Sequence, residues 1–232
     1  MIKLIQISDC HINDQAVVMG VDTQANLKKI VKKLDDCKFE ALLISGDLTH
    51  NGTANSYTYL KEILSPIEVP IHVITGNHDN VVKLNIAFKD NLFSCVEFGN
   101  WEMISINSVQ PEKTSGLVTS KALAELDQRF LNSNADHILV VLHHPIVAMN
   151  SSWDDSLSLE NPQDLFQVLD KHSKIRCVVF GHAHESADFY HQNCLIVSCP
   201  STALQFNQES RIGFNEFTLH DDGQINWTTQ WI

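Results

Sequence analysis

The stretch VVFGHAHES, residues 178–186, places two histidines, His182 and His184, one residue apart behind a glycine and an apolar run. Side chains of a β-strand alternate between its two faces, so residues two positions apart point to the same side. If this pair lies at or just beyond a strand end, both imidazoles can converge on one point. That arrangement is typical of a metal site, although a histidine-rich surface loop would give the same pattern.

The same combination of an apolar run and a polar cluster occurs four more times. In open α/β sheets, ligands bind outside the carboxyl ends of the strands, so five such clusters would face one crevice. Six of the twelve histidines lie in them. Taken singly, each cluster is also explained by a surface turn or a core histidine. One common site is favoured only because all five clusters come directly after predicted strands. The clusters are Asp9 and His11, then Asp47, then Asn77, His78 and Asp79, then His143 and His144, and finally His182 and His184.

Short apolar β-type runs alternate with helical patterns until the last third of the chain, which is β-type throughout. In TQANLKKIVKKL, residues 23–34, apolar residues recur at spacings of three and four, which predicts a helix with Thr23 as its N-cap. SSWDDSLSL, residues 151–159, indicates a polar loop that carries Trp153. Because no fixed repeat or Pro/Gly/Ser-rich linker divides the chain, we expect one α/β domain over residues 1–232, with mixed sheets and helices packed outside.

The charge balance limits the class of partner. The 232 residues are 44% hydrophobic, enough for a sizeable core, and carry a net charge of −12. Nucleic-acid-binding proteins use Lys and Arg to displace counterions from phosphates, so DNA or RNA is disfavoured as a partner. A small anionic substrate would need a local positive charge, which bound metal ions can supply.

The cysteines and the apolar runs bear on the compartment. The six cysteines form no CxxC pair and no framework spacing, and the chain opens on MIKLIQIS, which resembles a strand rather than a signal peptide. No apolar run approaches the roughly 20 residues that a bilayer-spanning helix needs. The expectation is a cytoplasmic protein with reduced thiols that does not enter the membrane.

The donor atoms of the five clusters suit metal ions. Asp, Asn and His offer oxygen and imidazole donors without thiolate, which fits Mn²⁺, Fe or Zn²⁺ and argues against a structural zinc site. There are too many donors for one ion, and a carboxylate can bridge two. The sequence therefore predicts two metal ions per chain, and these donors alone do not distinguish Mn, Fe, Zn or another divalent ion. The predicted ligands are Asp9, His11, Asp47, Asn77, His143, His182 and His184.

At these residues the chain resembles the calcineurin-like metallophosphoesterases. The family signature is D-x-H, G-D, G-N-H-D/E, H-x-P and G-H-x-H, and all five parts occur here in order between residues 9 and 184. The resemblance implies two facing mixed β-sheets flanked by helices, a four-layer sandwich with the metal centre at one edge. Three further stretches, MGVDTQANL, SSWDDSLSLENPQDLFQVL and CPSTALQF, resemble the bacterial class III cyclic-nucleotide phosphodiesterases.

The resemblance also implies roles. Asp47 would bridge two ions, and a hydroxide shared by those ions would attack phosphorus in line, converting 3′,5′-cyclic AMP to 5′-AMP. His78 would be catalytic rather than a ligand, facing the phosphate and protonating the leaving oxygen. His144 would support the metal ligands from behind or be structural, and Fe or Mn would be the favoured ions, with Zn or another divalent ion as alternatives. One ion would be held by Asp9, His11, Asp47 and His184, the other by Asp47, Asn77, His143 and His182, and the substrate would contact His11, Asp47, Asn77, His78 and His184.

Other functions compete with the expected hydrolysis of a small nucleotide. A nuclease or a broad phosphomonoesterase or diesterase could use the same scaffold, and the acidic surface counts against the nuclease. A metal-free scaffold protein would carry substituted ligands, whereas every ligand position is filled here. The loop around Trp153 would lie over the crevice and contact the nucleoside, or the ring would only pack on its own loop. The sequence leaves the oligomeric state open, a homodimer included.

Overall fold

The computed structural model describes all 232 residues, which form thirteen strands and six helices. The strands are β1 Ile2–Ile7, β2 Val17–Val18, β3 Val21–Asp22, β4 Ala41–Ile44, β5 Ile71–Val73, β6 Cys95–Phe98, β7 Trp101–Ser105, β8 His137–Val141, β9 Ile175–Phe180, β10 Ala187–His191, β11 Cys194–Ser198, β12 Gly213–Leu219 and β13 Ile225–Trp231. The helices are α1 Thr23–Leu34, α2 Ala54–Leu64, α3 Val81–Ala87, α4 Ser120–Asn132, α5 Ser152–Leu157 and α6 Pro162–Leu169.

Eleven of the strands form two mixed sheets. The first has the order β13-β12-β1-β4-β5, and the second has the order β10-β11-β9-β8-β7-β6. Strands β1, β4 and β5 run parallel in the first sheet, as do β7, β8, β9 and β11 in the second. The antiparallel strands lie outside these parallel runs. The carboxyl ends of the parallel strands in each sheet therefore meet along one edge.

The alternation of apolar side chains explains the layering. In β8, Leu139 and Val141 join an apolar cluster shared by both sheets, while Ile138 and Val140 face the helices α4 and α6. The outer face of the first sheet packs in the same way on α1, α2 and α3. Burying both faces of each sheet gives a helix–sheet–sheet–helix sandwich. The predicted fold, two facing mixed sheets flanked by helices, is confirmed.

The predicted N-cap of α1 is wrong by one residue. Asp22 is the cap, and its carboxylate accepts from the backbone N–H of Ala25 at 2.8 Å. Thr23 is instead buried as the first helical residue, and its hydroxyl donates to the carbonyl of His11 at 3.2 Å. The aspartate reaches the free N–H groups of the first turn, and the threonine ties the helix to the loop that follows β1.

The polar loop predicted over residues 151–159 is also wrong, because its first part is helical. The side chain of Ser151 caps α5 by accepting from the N–H of Asp154 at 3.3 Å. Acidic side chains in a first turn also favour a helix through the helix dipole. Within this helix Asp154 is buried, whereas Trp153 is 54% exposed.

Candidate metal centre

The loops at the carboxyl ends of the parallel strands hold the predicted ligands in an uncommon backbone conformation. A positive φ is rare for residues other than glycine, since the Cβ then crowds the backbone. Nine non-glycine residues of this chain have a positive φ, and five of them are predicted ligands. Such residues cluster at functional sites, where the surrounding structure enforces the strain. The five are Asp9 (53°), His11 (45°), Asp47 (48°), His182 (69°) and His184 (49°).

One group of side chains joins the loop after β1 to the loop after β9. His11 Nε2 lies 3.1 Å from His184 Nε2, and Asp9 Oδ1 lies 3.4 Å from the same atom. All three residues are buried. His184 Nδ1 faces the carbonyl of Leu204 at 2.7 Å, and since a carbonyl only accepts, this nitrogen carries the proton. The other ring nitrogen of His184, Nε2, faces His11.

A second group joins Asp47 to His143 and His182. Asp47 Oδ1 lies 3.4 Å from His143 Nε2, and Asn77 Oδ1 lies 3.1 Å from His143 Nε2 and 3.0 Å from His182 Nδ1. The other carboxylate oxygen of Asp47, Oδ2, lies 3.7 Å from His11 Nε2 in the first group. The structure thus brings all seven predicted ligands together, and Asp47 directs one oxygen to each group.

The two buried carboxylates give the centre negative charge. Burial alone would raise the pKa of Asp9 and of Asp47, but His184 and His143 lower the pKa of Asp9, and His143 holds that of Asp47 well below its usual range. Burial would lower the pKa of His143, and Asp47 and Asp9 outweigh this effect and raise it to about 9. The ion-pair partners of both carboxylates are all histidines. The centre therefore favours a cation.

Two other histidines of the centre, His11 and His182, have lowered pKa values and are neutral. Burial lowers the pKa of His11 to about 3, with a further contribution from His184. Burial, followed by the neighbouring His143, lowers the pKa of His182 to about 4. A neutral imidazole offers the lone pair that a metal ion requires.

The residues present fit metal ions. Asp9 Oδ1 is buried and has no hydrogen-bond partner, an arrangement that costs free energy unless another group interacts with it. The donors of the two groups are carboxylate and imidazole atoms together with the amide of Asn77, a combination typical of Mn, Fe and Zn sites. His11 also lies close enough to His50 and His78 to form a third cluster of possible donors. The chemistry of the site is therefore that of a metal centre.

His78 lies beside the two groups, and both its backbone and its ring are held by hydrogen bonds. Its backbone N–H donates to Asp47 Oδ1 at 2.9 Å, and its ring Nδ1 lies 2.9 Å from the carbonyl of His50. Since that carbonyl only accepts, Nδ1 keeps its proton, and Nε2 is the nitrogen that can exchange one. The ring meets His11 edge-on, with centroids 4.8 Å apart.

The sequence reasoning missed His50. Its ring stacks on His78 at a centroid distance of 5.0 Å, and its Nδ1 lies 3.5 Å from Nδ1 of His11. His50 follows Asp47 by three residues and does not directly follow an apolar run. Its closeness to that strand end was the available signal.

Asp79 joins two of the site loops from behind. Its carboxylate accepts from the backbone N–H groups of Leu48, Thr49 and Gly76 and from the hydroxyl of Tyr57, at 3.0 to 3.1 Å. This last residue of the GNHD stretch therefore positions the loops that carry the predicted ligands. Both ring nitrogens of His144 likewise have hydrogen-bond partners within the protein, which are Ser108 Oγ and the carbonyl of Thr114.

Gly76 provides a steric test of the centre. A Cβ at Gly76 would overlap the amide and the carboxylate of Asp47, so the Gly76→Ala variant must displace Asp47 or its own loop. We expect it to lose about 1 to 3 kcal/mol of unfolding free energy, as overpacked interiors do, together with most of its bound metal. Urea unfolding and elemental analysis measure the two effects.

The control is Gly99→Ala, in the β6–β7 turn. A Cβ at Gly99 meets no atom within 4 Å, but its φ of 57° imposes a backbone cost of about 1 kcal/mol. This variant should keep its metal. If Gly76→Ala kept two ions and full stability, the close contact between the two loops would be excluded.

Comparisons with known proteins agree with this geometry. A family model for calcineurin-like phosphoesterases matches residues 2–186. A protein from Ruthia magnifica subsp. Calyptogena magnifica, named "Probable cyclic nucleotide phosphodiesterase", is 57% identical and covers 99% of this chain and 98% of its own. A 3′,5′-cyclic adenosine monophosphate phosphodiesterase from Pseudomonas aeruginosa is 30% identical over 97% of this chain and 88% of its own.

The solved structures show the same fold. A dimetal phosphatase from Danio rerio superimposes with a TM-score of 0.75 over 98% of both chains, at 13% identity. None of the six helices here has the length and apolarity to span a bilayer. The family match, which covers most of the chain and includes every cluster of the centre, shows that the chain belongs to the calcineurin-like phosphoesterases.

Proposed function

We propose that this chain is a metal-dependent phosphodiesterase that hydrolyses 3′,5′-cyclic AMP to 5′-AMP. The observation that carries the proposal is the position of Asp47, whose two carboxylate oxygens face His11 and His143 of the two groups, with His78 beside them. The names of the two curated relatives support a cyclic nucleotide as substrate. The net charge of −12 disfavours a nucleic-acid substrate, because a long polyanion would be repelled outside the centre.

We assign two ions to the centre. Bound there, they would neutralise charge that develops on the phosphoryl oxygens and favour deprotonation of water. Fe or Mn is favoured, and Zn or another divalent ion would accept the same donors. The first ion would be held by Asp9, His11, Asp47 and His184, and the second by Asp47, Asn77, His143 and His182.

The other residues of the centre would position and protonate the substrate. Hydrolysis adds a water oxygen to phosphorus and breaks the bond to the 3′ oxygen of the ribose, which leaves as an alkoxide and needs a proton. His78 can supply it from Nε2 while Nδ1 stays bonded to the carbonyl of His50. The phosphate would also contact the ligand residues His11, Asp47, Asn77 and His184.

The cysteines bear on the cellular compartment of the protein. Burial raises the pKa of the Cys10, Cys177 and Cys199 thiols, which makes them poor nucleophiles. Six cysteines without framework spacing are typical of a reducing compartment, and we assign the protein to the cytoplasm.

A substrate panel tests the proposal. Metal-reconstituted protein is assayed with 3′,5′-cyclic AMP, 3′,5′-cyclic GMP, 2′,3′-cyclic AMP and p-nitrophenyl phosphate. We expect the highest kcat/KM with 3′,5′-cyclic AMP and 5′-AMP as its product. Efficient turnover of p-nitrophenyl phosphate with none of 3′,5′-cyclic AMP would instead identify a phosphomonoesterase.

A further inference from the structure

Two exposed aromatic rings lie at the edge of the metal centre. The ring of Phe206 is stacked on the imidazole of His184, with centroids 4.0 Å apart and planes 10° from parallel. The ring of Trp153 meets Phe206 at 86°, with centroids 5.1 Å apart. The two residues are 42% and 54% exposed. We call this pair the aromatic corner. It is contiguous with a predicted metal ligand, yet it belongs to neither metal group.

The loop that presents Phe206 is held in place by buried hydrogen bonds. Gln205 bonds back to Ser201 twice, its side chain accepting from the Ser201 N–H at 3.1 Å and donating to the Ser201 carbonyl at 2.8 Å. The hydroxyl of Ser201 donates to the carbonyl of Asp9 at 2.8 Å, which ties the loop to the metal centre. Asn26 of α1 donates to the carbonyl of Ala203 at 2.9 Å. Phe206 is therefore exposed on an ordered support.

Trp153 comes from a separate element with its own support. Helix α5 is capped by Ser151, and the carboxylate of Asp155 accepts from the N–H of Met149 at 2.6 Å. Two ordered segments, about 50 residues apart in the chain, thus bring the exposed rings of Trp153 and Phe206 together beside the centre. Aromatic rings of this kind are platforms on which nucleobases stack.

We propose that the aromatic corner is the binding site for the purine base of the substrate. This inference rests on the proposed function, since it assigns one part of the nucleotide to a surface next to the phosphate site. In a nucleoside cyclic phosphate the base is separated from the phosphate by a single sugar. Phe206 is separated from the metal centre by the ring of His184 alone. A phosphate at the metal centre therefore leaves the base within reach of the corner.

Charge and ring size favour a purine. The base is the uncharged, flat part of the nucleotide, so it can bind to a protein of net charge −12 without help from the metals. Stacking depends on the overlapping ring area, and a purine offers two fused rings to a corner built from a phenyl and an indole.

The test compares ligands that differ only in the base. Inhibition constants of 5′-AMP and ribose 5-phosphate are measured on metal-reconstituted protein against turnover of methyl p-nitrophenyl phosphate, which carries no base. We expect the wild type to prefer 5′-AMP, and Phe206→Ala and Trp153→Ala each to reduce that preference by about fivefold or more. The KM for 3′,5′-cyclic AMP should rise, while metal content and the KM for methyl p-nitrophenyl phosphate stay unchanged.

Two further variants separate stacking from support of the centre. Phe206→Tyr keeps an aromatic ring and should retain the preference for 5′-AMP. Tyr190→Ala removes a ring that is 71% exposed, at the end of β10 away from the Ala187–Ser198 pair that adjoins the centre, and should change nothing.

The outcomes also separate this inference from the proposed function. If both inhibitors weaken equally in Phe206→Ala and Trp153→Ala, or if the wild type does not distinguish them, the corner is not a base site. Failure of the wild type to hydrolyse 3′,5′-cyclic AMP would remove the proposed function. The inhibition constants would still show whether the corner binds a base.

Discussion

The Asp47→Ala variant is expected to lose both metal ions and to lose activity by about 10³-fold or more, which corresponds to about 4 kcal/mol of barrier. The physical reason is the position of this carboxylate. Oδ1 faces His143 and Oδ2 faces His11, at 3.4 and 3.7 Å, so one substitution removes a donor from each metal group. Asp47 also accepts the N–H of His78, and its loss frees that loop as well. Elemental analysis of purified protein, alongside assays with 3′,5′-cyclic AMP, measures both losses.

A folding defect must be separated from the loss of a ligand. Near-ultraviolet circular dichroism of Asp47→Ala should retain the wild-type spectrum, since Asp47 itself belongs to none of the three apolar clusters. Asp188→Ala is the control, because it removes an exposed carboxylate of β10 and should keep both ions and full activity. Two ions per chain in a folded Asp47→Ala variant would contradict the bridging role.

The side chains that converge on the centre could be located along the chain from the sequence because strand ends are a local property. An apolar run such as ILVVL indicates a buried strand, and the polar residue that follows it must leave the sheet at its carboxyl end. His143 follows β8 in this way, and Asp47 follows β4. The facing of the two sheets was predicted from family resemblance, since each strand alone is compatible with several arrangements.

The backbone conformation of the predicted ligands could not be predicted from the sequence. Asp47 adopts a φ of 48°, and local preference alone would favour the ordinary regions for an aspartate. The contact of its loop with Gly76 depends on a segment some thirty residues away.

Two other features depend on tertiary contacts. The carbonyl of His50 accepts from the ring of His78, and because every residue has a backbone carbonyl, the sequence cannot indicate this contact. Phe206 lies 22 residues beyond His184, and only the folded loop stacks the two rings. The helix α5 was missed because its six residues give too short a pattern to show helical periodicity.

The His78→Ala variant is expected to lower kcat for 3′,5′-cyclic AMP by about 10²- to 10⁴-fold, or roughly 3 to 5.5 kcal/mol, with normal metal content. His78 is adjacent to Asn77, but its ring bonds to the carbonyl of His50 rather than to the metal groups. Its removal should therefore spare both groups while removing a proton donor. His182→Ala is the contrasting variant. It removes a nitrogen that lies 3.0 Å from Asn77 Oδ1 and should lose metal and activity together on every substrate.

The acid role predicts a dependence on the leaving group. The ribose 3′ alkoxide is a strong base and needs a proton as it departs, whereas p-nitrophenolate is a weak base and needs none. The defect of His78→Ala should therefore be much smaller with methyl p-nitrophenyl phosphate than with 3′,5′-cyclic AMP. An equally large loss on both substrates would exclude proton donation. His78 would then act on the phosphate through charge stabilisation or positioning alone, since its backbone N–H and Nδ1 already hold it in place beside Asp47.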